Sequence, residues 1–287
     1  MSIEAEQLQG PRALLQHLPI RGAVSMSGLG ILLLDGLCAL VTGGGSGIGR
    51  QLALGFAEAG ASLVLVGRRL APLEETAKLA AAFGVKSIVI AADITNEDHI
   101  KKIEAQSGRV DILCNCAGAA PMTSWKTVSL KEWRDVFAIN VDAMFRLCQV
   151  FAPKMMDNRF GRIINISSVY GSMGGNPALY PGMEWDVASY FASKHAVHGI
   201  THYLAPRLAP FNVCINTLSP GGFSGSDMND KAGMGSDEML EAFYSVVPMR
   251  RLGGSKDLAA AGVFLASPGA SYTTGQDLKV DGGWSVW

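Results

Sequence analysis

Tyr190 and Lys194 stand four residues apart in Tyr-Phe-Ala-Ser-Lys. That is one helical turn, so a phenol and an ammonium would share one face. A phenol near pKa 10 exchanges protons poorly at neutral pH. Bringing it towards 7 takes about 4 kcal/mol of anion stabilisation, much of which a neighbouring cation can supply. Alone, such a pair is also a common feature of helix surfaces, so its chemistry depends on the rest of the chain. Tyr170 and Tyr180 are competing phenols, but Gly174 and Glu184 stand where each would need a lysine. The second candidate is Thr42-Gly43-Gly44-Gly45-Ser46-Gly47-Ile48-Gly49, which follows the apolar run 37–41 and precedes the helical spacing of 50–58. Glycines permit positive φ and close backbone approach to a pyrophosphate, whose charge a helix N-terminus favours. A glycine turn between the first strand and helix of a βαβ unit is where a dinucleotide binds.

The elements that must position these residues follow from composition and pattern. The chain has 287 residues, 48% hydrophobic, with a formal net charge of −1 and a mean hydropathy of +0.23. Such a chain can bury one large α/β core, and its charge balance points to neither nucleic acid nor an anionic membrane. Cys38, Cys114, Cys116, Cys148 and Cys214 fall mostly in apolar runs and lack zinc-type spacing, so we expect free thiols, no metal and a reducing, cytoplasmic setting. Residues 1–33 read as a poorly ordered N-terminal extension and 34–287 as the single domain. The apolar run 28–34 is too short to span a membrane. Met26, just before the globular pattern, is the expected native start.

Beyond the glycine turn, strand 62–67 ends in Gly67-Arg68-Arg69. Gly67 offers no carboxylate for ribose hydroxyls, whereas Arg68 can pair with a 2′-phosphate, so NADP(H) is preferred and NAD(H) is the alternative. Helix 72–83, strand 86–91 and Asp93-Ile94 follow, with Asp93 placed to receive the adenine amino group. Then come helix 96–106, strand 110–116 running through Asn115-Cys116-Ala117-Gly118, a long amphipathic helix 129–156 carrying Asn140, and strand 162–166 ending at Ser167-Ser168. After the Tyr190 helix come strand 212–218, helix 255–267 and strand 276–280. Strands alternating with helices predict a doubly wound parallel sheet of Rossmann type.

From about Leu34 to Trp287 the chain resembles the classical short-chain dehydrogenase/reductases. The resemblance rests on TGGGSGIG at 42–49, NCAG at 115–118, Asn140, Ile-Ser-Ser at 166–168, Tyr190 with Lys194, and Ser219-Pro220-Gly221. It implies that Tyr190 exchanges a proton with the substrate oxygen while hydride passes to or from the nicotinamide. Lys194 would lower the phenol pKa and hold the ribose, Ser168 would bond the substrate oxygen, and Asn140 would hold a relay water. Gly43, Gly45, Ser46, Gly47, Ile48, Gly49, Arg68, Arg69, Asp93, Ile94, Asn115, Ala117, Gly118, Pro220 and Gly221, with Tyr190 and Lys194, would contact the cofactor. Asn140 could instead cap a helix break, and Ser168 could merely end a strand.

Three departures stand out. Cys116 replaces the usual second asparagine. Gly225 falls where a carboxamide-binding threonine is common, leaving Ser224 or Ser226 to substitute. The stretch between Ser168 and Tyr190 is roughly nine residues longer than usual. This substrate loop, 172–189, carries Asn176, Tyr180, Glu184, Trp185 and Asp186, which suit a hydroxyl-rich, uncharged ligand. The lid, 222–247, carries Asp227, Asp230, Asp237, Glu238 and Glu241 against Lys231, which disfavours an anion if these acids face inward. Ser-Pro-Gly-Gly-Phe at 219–223 and Asp-Gly-Gly-Trp at 281–284 resemble members acting on sugars, polyols or sugar acids. The expected reaction is therefore alcohol–ketone interconversion on such a small molecule. Reduction of a 3-oxoacyl thioester is the alternative, and a non-catalytic NADP(H)-sensing protein is the alternative of another class. His195, His198 and His202 form a helical stripe read as a polar, pH-sensitive contact in a homo-oligomer, a dimer or tetramer. Pro206 predicts a kink or an end, and the tail 284–287 is expected to dock.

Overall fold

The computed structural model describes residues 30–176, 186–225 and 237–286. The chain groups into two units, Met1–Ile31 and Leu32–Trp287, and the second carries the sheet and every candidate site residue. Its globular packing starts at Leu34, whose side chain is fully buried and whose N–H donates to the Ala59 carbonyl at 2.8 Å.

Seven parallel strands form one sheet in the order β3-β2-β1-β4-β5-β6-β7. They are β1 (Cys38–Thr42), β2 (Ser62–Gly67), β3 (Ser87–Ala91), β4 (Ile112–Asn115), β5 (Gly161–Ile166), β6 (Val213–Pro220) and β7 (Asp277–Val280). The inner strands are near-continuous apolar runs because helices cover both faces. In β1 the three residues Ala39, Leu40 and Val41 are all fully buried, pointing alternately into the two cores. On one face α1 (Gly47–Glu58), α2 (Leu70–Ala80) and α8 (Ser255–Ala266) contribute Leu52, Phe56, Leu73 and Leu265. On the other, α3 (Glu97–Ser107), α5 (Ala143–Asp157) and α6 (Ala188–Leu208) contribute Ile103, Leu147, Phe151 and Leu208. The order in which successive strands are added reverses between β1 and β4, and that switch opens a crevice at the carboxyl ends of the strands.

Local chemistry explains the boundaries. Asn96 caps α3 through Oδ1, which accepts from Asp98 N at 2.9 Å and His99 N at 3.1 Å, and Ser129 caps α4 (Leu130–Phe137). The expected long helix 129–156 is realised as α4, a π-turn at Ala138–Asp142, and α5. The wide turn falls at Asn140, for which a cap at a helix break is the alternative to a relay role. Pro206 does not end α6, which runs on to Leu208 before a 3₁₀ turn. Its missing N–H leaves the His202 carbonyl without an intrahelical donor, but both residues are exposed, so water can reach that carbonyl. Among the described residues a further helix, α7 (Asp237–Val246), precedes α8.

Candidate active site

The glycine turn is shaped by two backbone demands. Gly43 adopts φ +70° and Gly47 φ +52°, and a Cβ at Gly49 would lie 2.3 Å from the Gly43 carbonyl oxygen. Only glycine lets the first turn of α1 close on the end of β1. No acidic residue occupies that first turn, which leaves the positive helix end to an anion. Arg50 braces the turn from behind. Its guanidinium donates to Gly45 O (2.6 Å), Thr76 Oγ1 (3.0 Å) and Glu75 Oε2 (2.7 Å), tying the loop to α2. Thr42 Oγ1 accepts from Cys116 N at 3.0 Å and Ala117 N at 3.1 Å, which joins the ends of β1 and β4. The sequence offered no signal for either brace beyond a charged and a hydroxyl residue beside the glycines.

A cleft of roughly 270 Å³ results. Gly43, Gly45, Ser46, Gly47, Ile48 and Gly49 line it on one side, and Arg68, Arg69, Asp93, Ile94, Ala117 and Gly118 on the other. Twelve of the residues expected to hold a cofactor thus converge on one groove. Arg68 and Arg69 are exposed and make no hydrogen bond or ion pair among the described residues. Asp93 Oδ1 is engaged by Thr95 N and Oγ1, and these bonds, with Arg68 nearby, hold its carboxyl below the usual range. Asn115 departs from expectation: its Nδ2 donates to Asn165 Oδ1 at 2.9 Å inside the core, so it serves the sheet and does not line the cleft. Pro220 and Gly221 close β6 against β7, with Gly221 N bonded to Val280 O, and also lie outside the cleft lining. Among the described residues no group of three or more His, Cys, Asp or Glu gathers to hold a metal ion.

The four expected catalytic side chains are all buried. Tyr190, Lys194, Ser168 and Asn140 are 6%, 5%, 7% and 2% exposed. Ser168 follows the end of β5, and its hydroxyl accepts Tyr170 N at 3.2 Å and sits near enough to the Tyr190 phenol to favour its anion. Lys194 Nζ lies 5.5 Å from the centre of the Tyr190 ring and donates to Ile166 O at 2.7 Å. The π-turn swings Asn140 inward. Its Oδ1 accepts Ala119 N at 2.8 Å, and its Nδ2 donates to Ala119 O and Ser193 Oγ, both at 2.9 Å. Ser193 in turn donates to Tyr190 O at 2.8 Å. Asn140 therefore clamps the start of α6 to the end of β4, a role that sequence reasoning missed although Ser193 sits within the Tyr-to-Lys motif. A Cβ at Gly118 would lie 3.0 Å from Asn140 Oδ1 and 3.7 Å from Lys194 Nζ, so the glycine keeps that gap open.

The electrostatics correct one expectation. Burial pushes the Tyr190 phenol up to about 12, and the Ser168 hydroxyl offsets this only in part. Burial also pulls Lys194 down to about 8. Lys194 is not among the groups that lower the phenol here, because its ammonium is turned to the Ile166 carbonyl. Cys116, which borders the cleft, is likewise pushed up to about 12 by burial.

Beside Tyr190 packs a buried aromatic cluster. Tyr170 stacks on Phe191 at 4.4 Å and meets Trp284 edge-on at 5.4 Å, and Trp284 meets Phe243 of α7 at 5.5 Å. The tail thus docks through Trp284, while Val286 is exposed. Of the substrate-loop residues, Asp186 anchors its end through Oδ2 to Trp125 N at 2.6 Å. Tyr180, Glu184 and Trp185 lie outside the described residues, as do Ser226, Asp227, Asp230, Lys231 and the side chains of Asp237 and Glu238. Glu241 faces solvent. Gly225 adopts φ +68°, and the neighbouring Ser224 hydroxyl bonds Gly253 O. The histidine stripe divides: His195 and His202 are exposed, but His198 is turned inward to Ser167.

The comparisons agree with this geometry. The family model described as enoyl-(acyl carrier protein) reductase matches residues 43–285. The chain is 38% identical to galactitol 2-dehydrogenase (L-tagatose-forming) of Cereibacter sphaeroides, over 90% of this chain and 98% of that protein. It is 37% identical to a 3-oxoacyl-[acyl-carrier-protein] reductase of Staphylococcus aureus (strain Mu50), over 85% and 96%. The crystal structure of gluconate 5-dehydrogenase from Burkholderia cenocepacia J2315, in complex with NADP and tartrate, superposes with a TM-score of 0.81 at 30% identity, covering 91% of this chain and 99% of that one.

Proposed function

This chain belongs to the short-chain dehydrogenase/reductase family, and from that premise we propose that it interconverts a secondary alcohol and a ketone on a sugar, polyol or related hydroxylated small molecule, preferring NADP(H) to NAD(H). One observation carries the reading. Ser168, Tyr190 and Lys194 are buried together, with the Lys194 ammonium 5.5 Å from the centre of the Tyr190 ring, close to a glycine-walled cleft with two uncommitted arginines at its rim.

The residues present fit a dinucleotide. The Gly43–Gly49 turn gives close backbone approach at a helix N-terminus, and Arg68 with Arg69 supports a 2′-phosphate. A nicotinamide supplies or accepts the hydride when bound. The chain's own residues handle the proton. Ser168 holds the substrate oxygen, and Tyr190 gives that oxygen a proton in reduction or takes one in oxidation. A phenol pushed up to about 12 is fully protonated at neutral pH but a weak acid, so giving up its proton requires the resulting phenolate to be stabilised. Lys194 lies across the ring from it, and Asn140 holds the segment that carries both. The relation to galactitol and gluconate dehydrogenases supports a polyol or sugar. The relation to the staphylococcal reductase favours a second reading, a 3-oxoacyl thioester. Free Cys38, Cys114, Cys116, Cys148 and Cys214 support a cytoplasmic setting, and a homo-oligomer, tetramer or dimer, is the proposed assembly.

The test is turnover with NADPH or NADP⁺ against ketoses, polyols, sugar acids and an acetoacetyl thioester, beside the Tyr190→Phe variant. Turnover of a polyol or ketose that drops about a thousandfold in the variant supports the proposal. Turnover of the thioester alone selects the second reading. Tight cofactor binding with no turnover on any substrate would refute both.

A further inference from the structure

Behind the lysine lies a polar chain that takes no direct part in the reaction proposed for Tyr190. His198 follows Lys194 by one turn, as Lys194 follows Tyr190, so phenol, ammonium and imidazole descend one face of α6. His198 Nε2 lies 2.8 Å from Ser167 Oγ, and Ser167 Oγ lies 3.1 Å from the backbone oxygen of Lys194 itself. On the far side, His198 Nδ1 is 3.9 Å from Asp277 Oδ2 on β7. Asp277 is held there by two hydroxyls on β6: Ser219 donates to Oδ1 at 2.5 Å and Thr217 at 3.0 Å. Its other oxygen, Oδ2, is buried with no hydrogen bond and has Lys279 Nζ at 3.7 Å. The His198 and Asp277 side chains are only 12% and 16% exposed. A Cβ at Gly171 would lie 2.4 Å from Ser167 Oγ, 2.6 Å from His198 Nε2 and 2.9 Å from Lys194 O, so the chain passes over this trio with no room for a side chain.

The three side-chain types are those of a hydrolytic triad, but Ser167 is 2% exposed and lies against the backbone of α6, with no route to a substrate. What the arrangement can do is control one proton. The Ser167 hydroxyl has a single hydrogen and two acceptors within reach, the Lys194 carbonyl and an unprotonated His198 Nε2. The Asp277 carboxylate favours a proton on Nδ1, leaving Nε2 to accept from Ser167. A second imidazole proton makes Nε2 a donor and sends the serine hydrogen to Lys194 O. The groups facing the imidazole are Asp277 and Lys279 from β7, Ser167 from the end of β5, and His195 and His202 along α6.

We propose that His198 is a positioning residue for Lys194: held by Asp277, it sets through Ser167 the hydrogen bond on the lysine's own carbonyl, and with it the placing of the ammonium beside the Tyr190 phenol. This rests on Tyr190 and Lys194 forming the proton-transfer pair. The experiment compares His198→Ala, His198→Gln and Asp277→Asn with the parent protein, using Tyr190→Phe as control. Two readouts are taken: kcat and KM across pH, and the ultraviolet titration of the Tyr190 phenol in protein saturated with NADP⁺, obtained as the difference from Tyr190→Phe. His198→Ala is expected to lower kcat about tenfold at unchanged substrate KM and to move the phenol midpoint upward. His198→Gln keeps an N–H for Ser167 and is expected to restore most of kcat while flattening the acid limb of the pH profile. Asp277→Asn is expected to flatten the same limb. Parental kcat and phenol midpoint in His198→Ala would overturn the inference, and loss of turnover in Tyr190→Phe alone would then leave the reading of the site intact. Full turnover in Tyr190→Phe would sink that reading instead, and the phenol titration would decide the inference by itself.

Discussion

Replacing Lys194 by methionine is expected to stop turnover and yet stabilise the ligand-free protein at neutral pH. Burial lowers the Lys194 ammonium from 10.5 to about 8. That difference corresponds to about 3 kcal/mol of preference for the neutral amine in the folded state. The sign follows from proton counts. Below pH 8 the ammonium is charged in both states, and the folded chain bears the whole cost. Between 8 and 10.5 the folded chain sheds the proton while the unfolded chain keeps it, so stability rises with pH. Above 10.5 both are neutral and the cost has gone. Methionine has similar length and no charge, so its stability lacks this slope. It also loses the 2.7 Å bond to Ile166 O, worth about 1–2 kcal/mol at every pH. The variant should therefore be about 1–2 kcal/mol more stable than the parent at pH 7. Its advantage should shrink by about 2–3 kcal/mol towards pH 10 and change sign on the way, because the parent gains what the variant cannot. Paired denaturant unfolding curves at the two pH values measure this, and for a domain of this size the shift corresponds to about 5–10 °C in Tm. Parallel stability–pH curves for the two proteins would refute the reasoning, since other titrating groups cancel in the comparison.

Two further outcomes follow from the cleft. In Gly49→Ala the new Cβ would meet Gly43 O at 2.3 Å and Gly43 C at 2.7 Å. The turn must open, so NADPH affinity by fluorescence titration should fall at least about tenfold, with about 1–3 kcal/mol of stability lost; binding unchanged from the parent would show that the turn does not hold the cofactor. Arg68→Ala removes an exposed guanidinium that holds no protein partner among the described residues. It should weaken NADPH about tenfold and leave NADH unchanged, the ratio of kcat/KM values being the measure. Equal loss for both cofactors would exclude a 2′-phosphate contact at this residue.

The strands were legible because a sheet covered on both faces demands runs such as Cys38–Thr42 and Val213–Pro220, which few other environments would favour. The convergence of Gly43–Gly49, Arg68, Asp93 and Gly118 was also legible, since each stands at or just past the carboxyl end of a strand near the switch point, where topology brings them together. Side-chain direction was not. Asn115 and Asn165 are register partners on β4 and β5, and a hydrogen bond between them turns Asn115 into the core. No local pattern encodes that pairing. The spacing of His195, His198 and His202 did not show that the stripe divides, since only the register of α6 over β5 and β7 decides that His198 meets Ser167 and Asp277 while the other two stay exposed.

The pKa values show why the site's chemistry was harder to read than its parts. Spacing suggested that an ammonium one turn from a phenol must lower it. In the folded chain the same burial that excludes water raises Tyr190 to about 12 and lowers Lys194 to about 8, so both ionisations are opposed at once. The two effects have one cause, and they leave the resting pair with a neutral phenol at every ordinary pH and an ammonium that titrates not far above neutrality. Donating that proton leaves a phenolate and accepting one starts from a phenolate, so both directions need the anion stabilised. Within the chain the groups placed to provide it are the Ser168 hydroxyl, beside the phenol, and the Lys194 ammonium, once it turns from Ile166 O. How firmly the turn of α6 beneath that lysine is held therefore bears on oxidation and reduction alike, and loss of the His198 brace should lower kcat in both.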